Sequence, residues 1–340
     1  MKRDLKQGFR RWIAFLSLVV MLGMLSCMTA CAKAQENDYA SRYITVNEQK
    51  MHVVLYGDVN EASQEFSDQD RTTLVMLPAL GVPSPHIYYK PLAEQLKDNF
   101  NVVIVEPFGY GLSDVTTVER TVENINQELN EALTALKIDK CVLLVHSISG
   151  VYGLNFVLNY PEKVEGFIAI DNTVYDEELE EALQMEQTYM QQGIKEFDDL
   201  RKSFASVDEF KKALAEKPEE YGAELPVITG YTYSESDREE YLQAYALSCN
   251  EAVSDEVDHM NTSMLTIIGK KFPDTLPVLT MVSGDNAAAI PAWETAHRDQ
   301  LNLEAGKHEI HIVEGSHYIW YTNLSAVTDH INAWKDKNQF

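Results

Sequence analysis
Cys141-Val-Leu-Leu-Val-His146-Ser147-Ile148-Ser149-Gly150 is the stretch that decides the reading of this chain. Cys141 to Val145 is apolar throughout and reads as a buried strand that ends at His146-Ser147. A helix-like run carrying Gly150 and Gly153 follows and stops at Asn159-Tyr160-Pro161. A serine on a sharp strand-to-helix turn has its hydroxyl pushed clear of the sheet, and the N–H groups of the new helix point toward the reacting centre. That arrangement presents a weak alcohol nucleophile to a carbonyl carbon. The competing reading is a buried strand followed by a serine helix cap, a common start signal. Residues two before and two after such a serine crowd each other and are usually glycine. Here they are Val145, a departure, and Ser149, which is small enough.

A second punctuated segment lies near the end. His308-Glu-Ile-His-Ile-Val313 reads as a short strand, Glu314-Gly315-Ser316 as a turn, and His317 as the entry to a helix that reaches about Trp334. A histidine on the loop past a last strand can swing toward a serine turn as general base. His317 is one of nine histidines, so its position relative to Ser147, with strands between them, carries the argument.

The order of Ser147 and then His317 on alternating strands and helices resembles the α/β-hydrolase fold superfamily, over nearly the whole chain after about residue 40. Asn101-Val-Val-Ile-Val-Glu106-Pro-Phe-Gly109-Tyr-Gly111-Leu-Ser-Asp114 looks like the strand and Gly-x-Gly-x-Ser loop that precede the serine in that family. Leu77-Pro78-Ala79-Leu80-Gly81 stands where the family has its oxyanion loop, and residues 41–58 resemble its opening hairpin. The resemblance implies an α/β fold with a mostly parallel sheet flanked by helices. It also implies a helical cap between the sixth and seventh strands, and an oxyanion hole made by the N–H groups of Leu80 and Ile148. The expected division is a leader over 1–32, a tether over 33–43, a core over 44–171 and 276–340, and a cap over 172–275.

The third triad member has two candidates, since a carboxylate is needed to hold the histidine tautomer. The resembling family usually places it past the seventh strand, where Gly284-Asp285-Asn286-Ala287 stands. Aligned by its Gly and Pro, that loop has Ala287 at the acid position, with Asp285 nearby. Some members place the acid after the sixth strand, where Asp171 lies. Asp171 is expected ahead of Asp285. The function expected is a serine hydrolase acting on a carboxylic ester of a small or medium acyl group through an acyl-enzyme. The alternatives are an aminopeptidase of the same fold and a non-catalytic ligand-binding or sensor protein that retains it. A serine rather than an aspartate at the turn argues against dehalogenase or epoxide-hydrolase chemistry.

The composition fits one substantial core: of 340 residues, 45% are hydrophobic and 24% charged. Net charge is −25, and the leader carries five basic residues and one acidic, so the remainder carries about −29. Such an acidic surface argues against nucleic acid and against bulk binding to anionic lipid, leaving a small-molecule substrate as the expected partner. The sequence leaves the oligomeric state open. No His-x-x-x-His or Cys-x-x-Cys pattern and no dinucleotide fingerprint is present, so neither a metal nor a cofactor is expected.

Trp12 through Ala32 carry no charge and follow the basic residues Lys2, Arg3, Lys6, Arg10 and Arg11, as in an export signal or anchor. Met28-Thr29-Ala30-Cys31 resembles a bacterial lipoprotein box, so Cys31 is the expected lipidation site at the outer face of a bacterial membrane. Cleavage with secretion, or retention as a spanning helix, are the alternatives. Membrane contact is expected through this segment alone. Cys141 and Cys249 are expected to be free and buried.

Periodicity predicts a hairpin turning near Lys50-Met51, helices over Tyr89–Lys97 and Val118–Leu136, and a strand over Val164–Ile170. Cap helices are predicted over Asp176–Gln192, Val207–Lys217 and Ser236–Glu251. Met185, Met190, Met260 and Met264 are candidates to line a cap pocket, and Glu178, Glu180 and Glu181 to hold an ammonium group. Tyr88, Tyr89, Phe108, Tyr110, Tyr318 and Trp320 are candidates for its wall.

Overall fold
An antiparallel hairpin of β1 (Tyr39–Val46) and β2 (Gln49–Tyr56) opens the computed structural model, which describes residues 39–60 and 62–340. The expected leader and Cys31 lie outside the described residues. The hairpin turns at Asn47-Glu48, not at Lys50-Met51, and both turn residues have positive φ (47° and 63°). A two-residue loop needs that twist to match the flanking strands, and Asn accepts it readily. Residues 39–43, expected in the tether, form the first part of β1.

The sheet then builds outward through β3 (Thr73–Leu77), β4 (Asn101–Glu106), β5 (Cys141–His146), β6 (Val164–Ile170), β7 (Val278–Ser283) and β8 (His308–Val313). The strand order is β1-β2-β4-β3-β5-β6-β7-β8. β2 pairs antiparallel with β4, and every later pairing is parallel. β4 and β5 are buried at every residue, which is why they read as unbroken apolar runs and not as alternation.

Helices cover both faces. α1 (Pro85–Leu96) starts earlier than its apolar periodicity indicates, because Ser84 caps it and Pro85 occupies its first turn. α2 (Val122–Ala135) starts later than expected, at a Thr121 cap. α3 (Ser149–Asn159) leaves the serine turn and lies almost wholly buried against the sheet. Its glycines have definite work. A Cβ on Gly150 would stand 2.4 Å from Asn172 Cβ, and one on Gly153 would stand 2.8 Å from Phe167 and 3.0 Å from Val145 Cγ1. Gly153 therefore leaves the space that Val145, the larger-than-usual residue before the serine, takes up.

Between β6 and β7 the chain is helical: α4 (Glu180–Lys202), α5 (Val207–Glu216), α6 (Pro218–Tyr221), α7 (Glu235–Leu247) and α8 (Glu251–Leu265). The single helix expected over Ser236–Glu251 is broken at Ser248–Asn250, with Cys249 at φ 52° and Asn250 capping α8. This insert is tied to the core by buried polar contacts, among them Lys90 Nζ to Asp237 Oδ1 at 2.6 Å and Asn250 Nδ2 to the Gly109 carbonyl at 2.8 Å. Past β7 come α9 (Gly284–Ala289) and α10 (Trp293–Asp299), and α11 (Ile319–Asn338) closes the chain. Among the described residues no helix is long and apolar enough to cross a membrane.

Candidate active site
Four adjacent parallel strands, β5 to β8, end on one side of the sheet, and the segments leaving their carboxyl ends build the site. Open α/β sheets bind ligands at such carboxyl ends. Ser147 follows β5, Asp171 follows β6, Asp285 lies just past β7, and His317 comes after β8.

Ser147 is held at φ 56° between β5 and α3, a left-handed backbone that is costly for a non-glycine residue. Ser149 Oγ fastens the turn by accepting from His146 N–H at 2.9 Å and lying 3.0 Å from the Leu77 carbonyl. The Ser147 carbonyl accepts from Thr173 N–H at 2.8 Å, which joins the serine turn to the one carrying Asp171. Ser147 is half-buried, and its Oγ has no hydrogen-bond partner among the described residues. The contact from a nucleophile to its base is one that tightens when substrate binds.

Asp171 and His317 meet directly, with Nδ1 of His317 donating to Asp171 Oδ2 at 2.6 Å. Asp171 is fully buried, with φ 40°, and its carboxylate accepts three further hydrogen bonds. They come from Ser283 N–H at 2.9 Å, Asn286 Nδ2 at 2.6 Å and Trp293 Nε1 at 2.9 Å. Burial pushes this carboxyl up. The hydrogen bond and charge of His317, with the Trp293 and Ser283 donors, outweigh that and hold it below the usual range. Asp285 is different. It is exposed in the first turn of α9, its N–H donates to the Gly315 carbonyl at 3.2 Å, and its carboxylate has no partner among the described residues. The loop after β7 thus contributes donors to Asp171 in place of an acid.

His146, Asn286 and Trp293 contact the candidate triad and were not singled out by sequence reasoning. His146 is fully buried, and its Nε2–H donates to the His317 carbonyl at 2.8 Å. Its Nδ1 accepts from the Tyr88 hydroxyl at 2.5 Å. Burial, then the charge of His317, lowers its pKa well below the usual histidine value, so it stays neutral and pins the backbone of His317. Its position next to Ser147 is visible in the sequence, but its partner 171 residues away is not.

Leu80 and Ile148 flank the serine from β3 and α3, and their N–H groups have no acceptor among the described residues. Orphaned backbone donors beside a nucleophile are free to receive a developing oxyanion. Leu80 packs against the cluster of Tyr110, Ile194, Val253 and Val257, as Met190 does, and Met190 Cε lies 4.0 Å from where a Cβ on Gly81 would stand. Met190 is thus the one candidate methionine at the oxyanion loop. Met260 and Met264 are buried in the main core, and Met185 is exposed on α4. Tyr88 and Tyr318 ring the two histidines, whereas Tyr89 sits deeper, donating to the Leu77 carbonyl at 2.8 Å. Phe108 is buried in the core. Glu178, Glu180 and Glu181 are exposed. Cys141 and Cys249 are free thiols, the first buried and the second half-buried, and loss of hydration pushes Cys249 up to about 11. Among the described residues no group of three or more His, Cys, Asp or Glu could hold a metal ion.

Strand order, a positive-φ serine between strand and helix, and a buried carboxylate bonded to a histidine define a family. The chain belongs to the alpha/beta hydrolase fold family, whose model matches residues 72–248. It is similar to the "Putative carbamate hydrolase RutD" of Pantoea ananatis (strain LMG 20103), 29% identical over 103 residues, which is 30% of this chain and 37% of that protein. It is also similar to the "2-(acetamidomethylene)succinate hydrolase" of Mesorhizobium japonicum, 27% identical over 121 residues, 36% of this chain and 43% of that protein. The chain thus spans well under half the length of these curated relatives. Among solved structures it is similar to a putative lipase from Acinetobacter baumannii AYE. That match has a TM-score of 0.62 at 13% identity and covers 100% of this chain and 97% of that one, a likeness of fold.

Proposed function
We propose that this chain is a serine hydrolase that cleaves a carboxylic ester of a small or medium acyl group through an acyl-enzyme intermediate. The observation that carries the reading is the 2.6 Å bond between His317 Nδ1 and buried Asp171, built beside a serine held at positive φ. Asp171 commits Nδ1 of His317 to its proton, so Nε2 is the basic nitrogen. Ser147 Oγ attacks the acyl carbon as its proton passes to Nε2. The carbonyl electrons move onto oxygen, which the N–H groups of Leu80 and Ile148 receive. The tetrahedral species collapses, and His317 returns the proton to the departing alkoxide. A water molecule then gives its proton to Nε2 and attacks the acyl-serine, releasing the carboxylate and restoring Ser147. Two of the relatives carry hydrolase names, one a "Putative carbamate hydrolase" and the other a "2-(acetamidomethylene)succinate hydrolase". A panel of p-nitrophenyl esters of rising chain length, run with wild type and Ser147→Ala, tests the reading.

An aminopeptidase reading has one observation of its own. Glu186 lies on α4 one turn before Met190, and so on the face that meets the oxyanion loop. Glu186 is exposed over much of its surface; the covered part of its carboxyl pushes it above the usual range, and the charge of His317 opposes that rise. A carboxylate there could hold a substrate ammonium, a role the sequence offered to Glu178, Glu180 and Glu181. Aminoacyl p-nitroanilides beside the esters distinguish the two. Turnover of neither, with no covalent labelling of Ser147, would favour a non-catalytic binding protein. The chain is further proposed to be exported and lipid-anchored through Cys31, with secretion as the alternative. Intact mass of the processed protein decides this.

A further inference from the structure
Beneath the oxyanion loop runs a chain of buried polar groups that the chemistry above leaves unused. Gly81 N–H donates to Tyr110 Oη at 3.1 Å. Tyr110 Oη donates in turn to Glu256 Oε2 at 2.9 Å, and Tyr152 Oη donates to Glu256 Oε1 at 3.0 Å. All three side chains are buried, with exposures of 3%, 4% and 5% for Tyr110, Glu256 and Tyr152. They come from separate parts of the molecule. Gly81 follows β3, Tyr110 follows β4, Tyr152 lies on the helix that leaves Ser147, and Glu256 lies on α8 of the insert.

Arg120 stands beside them, fully buried, its Nη1 contacting both oxygens of Glu128 at 2.8 Å. Its Nε and Nη2 have no partner among the described residues. Arg120 lines a cavity of about 30 Å³ together with Tyr110, Tyr152, Glu256 and mostly apolar neighbours such as Met51, Leu77 and Leu129. Burial pushes the Glu256 carboxyl up, and the Arg120 charge and the two tyrosine donors oppose the rise. Apolar side chains would fill this space without the desolvation cost of a buried carboxylate.

The chemistry of the groups gives the chain a direction. Tyr110 Oη gives its one proton to Glu256 Oε2 and turns its lone pairs toward Gly81 N–H, since a phenol has a single O–H to donate and can also accept. That bond fixes the peptide between Leu80 and Gly81, and Gly81 itself sits at φ 73°, where the backbone has few other restraints. The N–H of Leu80 is one residue away on the same loop.

We infer that Glu256 is a positioning residue for the oxyanion loop: acting through Tyr110, it aims the Leu80 N–H from the helical insert. This rests on the serine-hydrolase reading for its effect on rate, but not for its effect on Gly81. Glu256→Gln presents an amide N–H₂ where Tyr110 or Tyr152 now donates. A tyrosine hydroxyl that accepts from it must turn its own proton elsewhere, for Tyr110 toward Gly81 N–H. Tyr110→Phe removes the acceptor outright at nearly constant volume, which guards against a variant that fails to fold.

Both variants of the full chain would be measured in two ways. One is kcat and KM on the best ester, and the other is the Gly81 amide by NMR with ¹⁵N-glycine. The expected result is a fall in kcat of roughly 10- to 100-fold, with KM changed less than about threefold. The Gly81 amide should shift and exchange faster in both, although Glu256 does not touch Gly81. Turnover within about twofold of wild type in both variants, or a Gly81 amide unchanged in Glu256→Gln and also in Glu256→Leu, which leaves Tyr110 no carboxylate or amide oxygen at this position, overturns the inference. If wild type hydrolyses no ester, the hydrolase reading fails by itself, and the Gly81 amide in Glu256→Leu still decides the relay.

Discussion

Asp171→Asn leaves the shape of the side chain almost untouched, but it replaces one acceptor oxygen with an N–H₂ donor and removes the charge. The present carboxylate receives Ser283 N–H and Trp293 Nε1 on Oδ1, and His317 Nδ1 and Asn286 Nδ2 on Oδ2. Asparagine can keep its oxygen on the first pair only by turning its N–H₂ toward the second. Asn286 can rotate its own amide to accept. His317 can accept at Nδ1 only by moving its proton to Nε2, the nitrogen that must take the proton of Ser147. The positive charge that forms on His317 also loses its buried counter-charge. The expected loss is up to ~10⁴ in kcat, about 5.4 kcal/mol of barrier, with little change in KM. Asp285→Asn, at an exposed carboxylate with no partner among the described residues, should leave turnover within about twofold and stability within about 0.5 kcal/mol. The assay is steady-state hydrolysis of one p-nitrophenyl ester at one pH, with circular dichroism to confirm folding. Asp171→Asn retaining more than about a tenth of wild-type kcat would refute the tautomer argument, as would an equal loss in Asp285→Asn.

Asp171 also links stability to pH. Its folded pKa is depressed, so the stability it contributes is present above its unfolded value of about 3.9 and is lost as pH falls through the folded value. The urea midpoint of wild type should therefore exceed that of Asp171→Asn between about pH 8 and pH 5, and the margin should shrink below about pH 4. Trp293→Phe removes one donor from a buried carboxylate and should cost about 1–3 kcal/mol in denaturant unfolding, with a smaller loss of kcat than Asp171→Asn. Gly150→Ala forces a methyl to within 2.4 Å of Asn172 Cβ and should destabilise by more than about 2 kcal/mol, read as a lowered Tm.

The parts of this molecule legible in its sequence are those set by local pattern. The apolar run into Ser147, the glycines after it and the parallel strands announce themselves because buried strands and close helix packing restrict residue type at short range. The hairpin turn lies a few residues from its expected place because Asn47-Glu48 takes a positive-φ turn without a glycine to signal it. The choice between Asp171 and Asp285 stays open in the sequence because both follow strands. Only the pairing of β6 with β7, and of β7 with β8, shows which carboxylate lies under His317. His146, Asn286, Trp293 and Glu256 could not be read at all. Each acts through a partner far away in sequence, and no spacing records such a contact. The methionines divide for a similar reason: Met260 is buried in the main core, whereas Met190 also reaches the Tyr110 cluster beside Leu80, and no spacing in the sequence records either contact.

The most direct measurement is covalent labelling of the wild-type protein with a fluorophosphonate, and then peptide mass mapping. Mapping matters because Ser41 Oγ also lies 2.6 Å from a histidine, His52, which is bonded to Glu106 at 2.8 Å. Stoichiometric modification of Ser147, with loss of esterase activity in parallel and no label on Ser147→Ala, is the result predicted here. An unlabelled wild type, or a label on Ser41 with Ser147 untouched, would contradict the assignment of Ser147 as the nucleophile.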